Sequence, residues 1–168
     1  MNRALGMAAL MAALCGTGCE YFEKKPTGPE PSPSPTTAAL EITVAPDPLK
    51  ILWVCPVVDT NCYGSLDSTV TVTERAGIGG RLDMVEFTVR DAVLGVALTQ
   101  FRLDAAEIQA KAGTNRIEPL GKLAVRPIIE GYPVRNNIPR PQINIDVVVQ
   151  MTDDKGNSVS TTRRVPVT

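Results

Sequence analysis

Residues Ser68–Arg90 read STVTVTERAGIGGRLDMVEFTVR, and this stretch decides the fold. Val70 and Val72 alternate with Thr69, Thr71 and Thr73; further on, Val85, Phe87 and Val89 alternate with Glu86, Thr88 and Arg90. A period of two sends apolar side chains to one face of a strand and polar ones to the other. Both runs therefore read as half-buried strands of an antiparallel sheet, with one face on a core and one in water. Between them lies ERAGIGGRL, Glu74–Leu82, with glycines at 77, 79 and 80. A phosphate-binding loop would continue into Gly-Lys-Ser/Thr and open a helix, and neither follows, so this segment reads as a strand connection.

The same alternation continues toward the C-terminus. QINIDVVVQMT, Gln142–Thr152, puts Ile143, Ile145, Val147, Val149 and Met151 on one face. Asp153-Asp154-Lys155-Gly156-Asn157 then separates this run from a second one, Ser158–Thr168, with Val159, Val165 and Val167 in step. Gly156 supplies the positive φ of a tight hairpin. Two aspartates and an asparagine suggest a calcium loop, but the bidentate glutamate such a loop ends on is missing. Further apolar runs lie near Leu40–Val44, Ile51–Val54, Val96–Leu103 and Lys122–Ile129. Helical periodicity is confined to a turn or two at Asp104–Lys111. The expectation for residues 40–168 is a single antiparallel β-sandwich of seven to eight strands.

Composition narrows the chemistry. The 168 residues carry a formal net charge of −1 and no histidine. Neutral charge gives no footprint for nucleic acid. Without histidine there is no Ser-His-Asp or Cys-His nucleophile and no imidazole metal ligand. Asp104 with Glu107, and Asp83 with Asp91, read as surface charges rather than an acid–base pair, because nothing in the sequence argues for a cleft between them. No enzyme activity and no cofactor are expected.

The N-terminal third reads differently. Ala4–Leu14 is an uncharged apolar run after Arg3, too short to span a bilayer but suited to a signal peptide. LCGTGCE, Leu14–Glu20, follows it, and Gly16-Thr17-Gly18-Cys19 resembles a bacterial lipobox, with Gly16 where that family usually has Leu. The resemblance implies cleavage after residue 18 and a lipid on Cys19. Cysteine parity points the same way: with Cys15 discarded and Cys19 lipidated, Cys55 and Cys62 remain as one pair for an oxidising compartment. Cleavage just after Cys19 by ordinary signal peptidase leaves the same pair. The ring CPVVDTNC, Cys55–Cys62, reads as a local staple on a loop. Residues 19–39 hold Pro26, Pro29, Pro31, Pro33 and Pro35 and read as an extended tether.

Residues 40–168 also resemble the immunoglobulin-like domains of bacterial lipoproteins, on TVTVTERAGIGG, VEFTVRDA, GTNRIEPLGKLAV and MTDDKGNSVSTTRRVPV. That resemblance implies a fold and an anchor and carries over no catalytic or binding residue. The expectation is a lipid-anchored module of the cell envelope, in contact with the membrane through Cys19, that binds an envelope or surface protein. In a Gram-negative cell, Glu20 after Cys19 implies the outer membrane by the family's sorting logic. Candidate contact residues are Trp53 and Tyr63 beside the cysteine ring, and Tyr132, Arg135 and Arg140 in a second segment read as a loop, because aromatics and arginines anchor interfaces. The bland reading makes Trp53 a core residue and the arginines solvated charges. An exported carbohydrate-binding or protease-inhibiting domain is the competing class.

Overall fold

The computed structural model describes residues 34–56, 61–135 and 142–168. The expected signal peptide (1–18), Cys19, most of the tether and Arg140 lie outside these residues. Among the described residues the elements run β1 Leu40–Ala45, β2 Leu52–Val54, β3 Asn61–Asp67, β4 Thr69–Glu74, β5 Gly80–Asp91, β6 Ala97–Asp104, α1 Ala105–Ala112, β7 Arg116–Ile117, β8 Lys122–Val125, β9 Ile128–Arg135, β10 Ile143–Asp153 and β11 Ser158–Pro166. The protein is all-β, as expected, but with eleven strands rather than seven to eight. Part of the difference comes from chain breaks. Ser68 divides β3 from β4, and Arg126-Pro127 divides β8 from β9, where proline contributes no amide to a ladder.

The strands form antiparallel ladders in three sheets, ordered β1-β4-β8, β11-β10-β5-β6 and β2-β3-β9, with β7 added to β5. In the first two, the first, second and fifth main strands lie apart from the third, fourth, sixth and seventh. Ile42, Val44, Val70, Val72, Leu123 and Val125 from one sheet and Val85, Phe87, Val89, Ile145, Val147 and Val149 from the other belong to one continuous buried cluster. Each such side chain, fully buried, contributes roughly 1.5–3 kcal/mol relative to exposure. Of the valines and isoleucines chosen by alternation, those of β4, β5 and β10 and Val165 are buried, while Val159 and Val167 are half-buried.

One irregularity corrects the simple alternation. Leu82 pairs with Met151 and Met84 with Gln150, which leaves Asp83 as an extra residue in β5. This bulge resets the parity, so Leu82 and Val85, three apart, are both fully buried. The helix α1 crosses between the sheets and plugs the core with Ile108. Its start is fixed by a capping box. Glu107 N–H donates to Asp104 Oδ1 at 2.9 Å, and Asp104 N–H donates to Glu107 Oε2 at 3.0 Å.

The sandwich has two distinct ends. At one, the chain enters through Ala38 and Ala39, beside Glu74, Gly79 and the β10–β11 turn: Ala38 N–H donates to Asp153 Oδ2, and Asp154 N–H to Gly79 O. At the other, Leu49 pairs in parallel with Val167, and Asp91 pairs with Ile143. The sheet β2-β3-β9 continues the β4 and β8 strands beyond this far end.

Candidate functional site

At the entry end the polar groups serve the fold. Glu74, 1% exposed, accepts hydrogen bonds from five backbone N–H groups: Ala39 and Ala76 on Oε1, Gly77, Ile78 and Leu120 on Oε2. Burial pushes its pKa up. The donations from Leu120, Ala76, Ala39 and Gly77 outweigh that and hold the carboxyl below its ordinary 4.5. Asp153 is the second hub, accepting from the N–H groups of Ala38, Lys155 and Asn157 and from the Asn157 amide. Burial raises its pKa as well, and these donors, Asn157 foremost, bring it below the ordinary value. Asp154, the other carboxylate of the turn, pairs with Arg116.

A cleft of about 430 Å³ lies on this end, lined by Arg81, Asp83, Arg116, Thr152, Asp153 and Asp154. Its charges are largely committed to one another. Arg116 donates twice to Asp154 at 2.9 Å and once to Glu118 at 2.8 Å, which raises its pKa, and Thr152 Oγ1 donates to Asp83 at 2.7 Å. Among the described residues no group of three or more Cys, Asp or Glu side chains is placed to hold a metal ion.

The far end carries the exposed apolar surface. On β2-β3-β9 the register puts Val54 opposite Tyr63, Leu52 opposite Ser65 and Ile128 opposite Asp67, all on the outward face. Leu52 is 68% exposed, Val54 56%, Ile128 63% and Tyr63 36%. The β5–β6 hairpin adds Val93, Leu94, Val96 and Leu98, also exposed. Its tip is held firmly: Asp91 Oδ1 accepts from Val93 and Leu94 N–H, and Gly95 takes φ +70°. Among the described residues, every exposed large hydrophobic except Leu120 belongs to this end. Scattered exposed apolar residues are ordinary; their concentration on one end is the informative observation. Among the described residues no helix is long and apolar enough to cross a membrane.

The residues singled out in the sequence are placed as follows. Cys55 and Cys62 form the expected disulfide. Cys62 lies within β3, opposite Val134, so the bond joins a strand and not merely a loop. Trp53, half-buried, packs against the core; a Cβ at Gly64 would lie 3.1 Å from its ring. Tyr63 faces outward beside Val54. Tyr132 and Arg135 sit on β9, at the register positions opposite Gly64 and Asn61, where a loop was expected. The strand forms there because Ile128–Arg135 pairs with β3, whose own strand character the cysteine ring obscured. The exposed aliphatics Leu52, Val54, Ile128, Val93 and Leu94 were not singled out. The signal for them was apolar residues of the wrong parity and an apolar hairpin tip.

No protein-family model matches the sequence, and no curated protein matches it. Among solved structures the chain is similar to an X-ray structure of a Northeast Structural Genomics Consortium target, SoR45, at 10% identity and a TM-score of 0.49, covering 77% of this chain and 86% of that one.

Proposed function

We propose that this chain is a non-enzymatic binding module of a bacterial cell envelope. A lipid on Cys19 anchors it, the Pro-rich residues 19–39 hold it off the membrane, and its far end engages another envelope protein. The observation that carries this reading is the segregation of surfaces. The chain enters the sandwich beside Ala38, while the exposed Leu52, Val54, Tyr63, Ile128, Val93 and Leu94 lie at the opposite end. A tether attached at one end leaves the other free to meet a partner. The absence of histidine from the sequence and the mutual pairing of charges in the entry-end cleft support a binding role over a catalytic one. Glu20 after Cys19 favours the outer membrane.

The test uses a photo-crosslinking residue placed at Tyr63 or Val93 in the full chain, in intact cells, with Lys155 at the entry end as comparison. A discrete protein adduct from the far-end positions and none from Lys155 is expected. Adducts of equal yield from both ends, or none from either, overturn the reading; a glycan in place of a protein moves it to the carbohydrate-binding class. Separately, Cys19→Ala is expected to lose the mass of the lipid and to leave the detergent phase. Unchanged mass and partitioning overturn the anchor.

A further inference from the structure

Residues Ser34–Ala39 belong to no strand, yet they are fastened to the sandwich at almost every step. Lys155 Nζ donates to Pro35 O at 2.6 Å, and Asn157 Nδ2 donates to Thr36 O at 3.2 Å. Ala38 N–H donates to Asp153 Oδ2 and Ala39 N–H to Glu74 Oε1, each at 3.2 Å, and Arg75 N–H donates to Ala39 O at 2.8 Å. Ala38 is itself buried, at 5% exposure. The bonds come from three separate places: the β10–β11 turn, the carboxylate ending β4, and the β4–β5 loop. The Arg75 bond continues the register of the β1–β4 ladder by one residue; the other four belong to no ladder, so they can open while the ladders stay closed.

We propose that Pro35–Ala39 form a strap clasped by Glu74 and Asp153, and that the strap opens as a unit, before either sheet, when its bonds to those carboxylates are lost. The geometry favours a separate opening. The strap contributes one small buried side chain to the core, so lifting it exposes little apolar surface compared with unpairing a strand. Its two amides, Ala38 and Ala39, are satisfied by side-chain oxygens rather than by a neighbouring strand. Each carboxylate also holds loops of its own, which keeps the acceptors in place while the strap is away. Opening lengthens the connection ahead of β1 by about 17 Å of extended chain. That consequence rests on the tether reading, in which this connection runs to the anchor; the clasp itself does not.

Native-state hydrogen exchange on the purified full chain, resolved at individual amides, tests the clasp. In the wild type, Ala38 and Ala39 are expected to exchange together, more slowly than unstructured chain and at least 100-fold faster than Phe87 and Val147. Glu74→Gln and Asp153→Asn are each expected to reduce strap protection at least tenfold further, with Phe87 and Val147 still strongly protected. Asp146→Asn is the control, since Asp146 is a buried carboxylate of β10, paired with Arg90 and Arg164 and away from the strap. It is expected to speed core exchange and leave the strap rate unaltered. Strap amides that exchange at the core's rate, strap amides unprotected in the wild type, or a control that speeds strap and core by one factor would each overturn the proposal. Failure of the anchor reading shows up instead in the Cys19→Ala partitioning, which none of these exchange rates affects.

Discussion

The backbone N–H of Leu120 donates to Glu74 Oε2 at 3.0 Å across 46 positions of sequence, and Leu120 adopts φ +57° to do it. A leucine in the left-handed region is disfavoured, so the bond holds the β7–β8 connection in a conformation that its residue type resists. One carboxylate thus sets the shape of the loop that leads into the neighbouring strand β8. Replacing Glu74 by Ala strands buried N–H groups and is expected to cost about 3 kcal/mol; Gln, which keeps an acceptor, is expected to cost about 1–2 kcal/mol. Chemical denaturation curves of the two variants check the order and the size.

The same group gives stability a pH dependence with a defined sign. Its folded-state pKa lies below 4.5, so its contribution is present at pH above 4.5 and is lost as pH falls through the lower folded value. Denaturation midpoints measured from pH 6 downward are expected to fall less steeply for Glu74→Gln than for the wild type. Parallel acid limbs would show that Glu74 titrates alike in the folded and unfolded chains.

Leu120→Asn is expected to stabilise. Leu120 is 69% exposed, so little packing is lost, and asparagine tolerates the left-handed region far better. The gain is about 0.5–1 kcal/mol, read as a raised thermal midpoint. A lowered midpoint would show that the leucine side chain contributes a contact worth more than the strain.

Gly80→Ala is expected to destabilise by about 2 kcal/mol. A Cβ there would lie 2.6 Å from Thr152 O and 2.9 Å from Asp153 Cα, both backbone atoms of the neighbouring strand. The strand pair must separate locally to admit it. Gly156→Ala makes a useful comparison, because that site is open and only its φ of +84° resists substitution. Denaturation of the two variants separates crowding from backbone conformation.

Replacing Cys55 and Cys62 together by Ser is expected to remove about 2.5 kcal/mol by the loop-entropy relation for so short a ring. The loss is expected to concentrate on β2, which pairs with β3 through only Leu52, Trp53 and Val54. Hydrogen exchange is expected to show Trp53 and Val54 losing protection while Val147 keeps it. Uniform loss across both would place the disulfide in the cooperative core.

Much of the architecture was legible in the alternation of Val70–Val72, Val85–Val89 and Ile143–Met151, because a half-buried strand imposes period two on its own residues. The β10–β11 hairpin was legible from Gly156 for the same local reason. What escaped was set by partners distant in sequence. Glu74 was read only as the start of a strand connection, since its donors are backbone amides that leave no mark on composition. β9 was hidden by Gly131 and Pro133, and the Asp83 bulge by the run of apolar residues around it. The capping box is a different case: Asp104 and Glu107 have the spacing of a helix start, and they were read as plain surface charges. The far-end apolar residues were legible only in retrospect, because an exposed leucine and a buried one look identical until the register is known.

The pairing of Leu49 with Val167 has a practical consequence. It brings the last residues of the chain to the same end as Leu52, Val54 and the Val93–Leu94 tip, with Thr168 N–H donating to Leu49 O at 2.8 Å. Anything fused after Thr168, whether an affinity tag, a fluorophore or a crystallisation partner, emerges beside the apolar face and competes for access to it. A reporter inserted between Lys155 and Gly156 stands at the other pole and leaves that face clear.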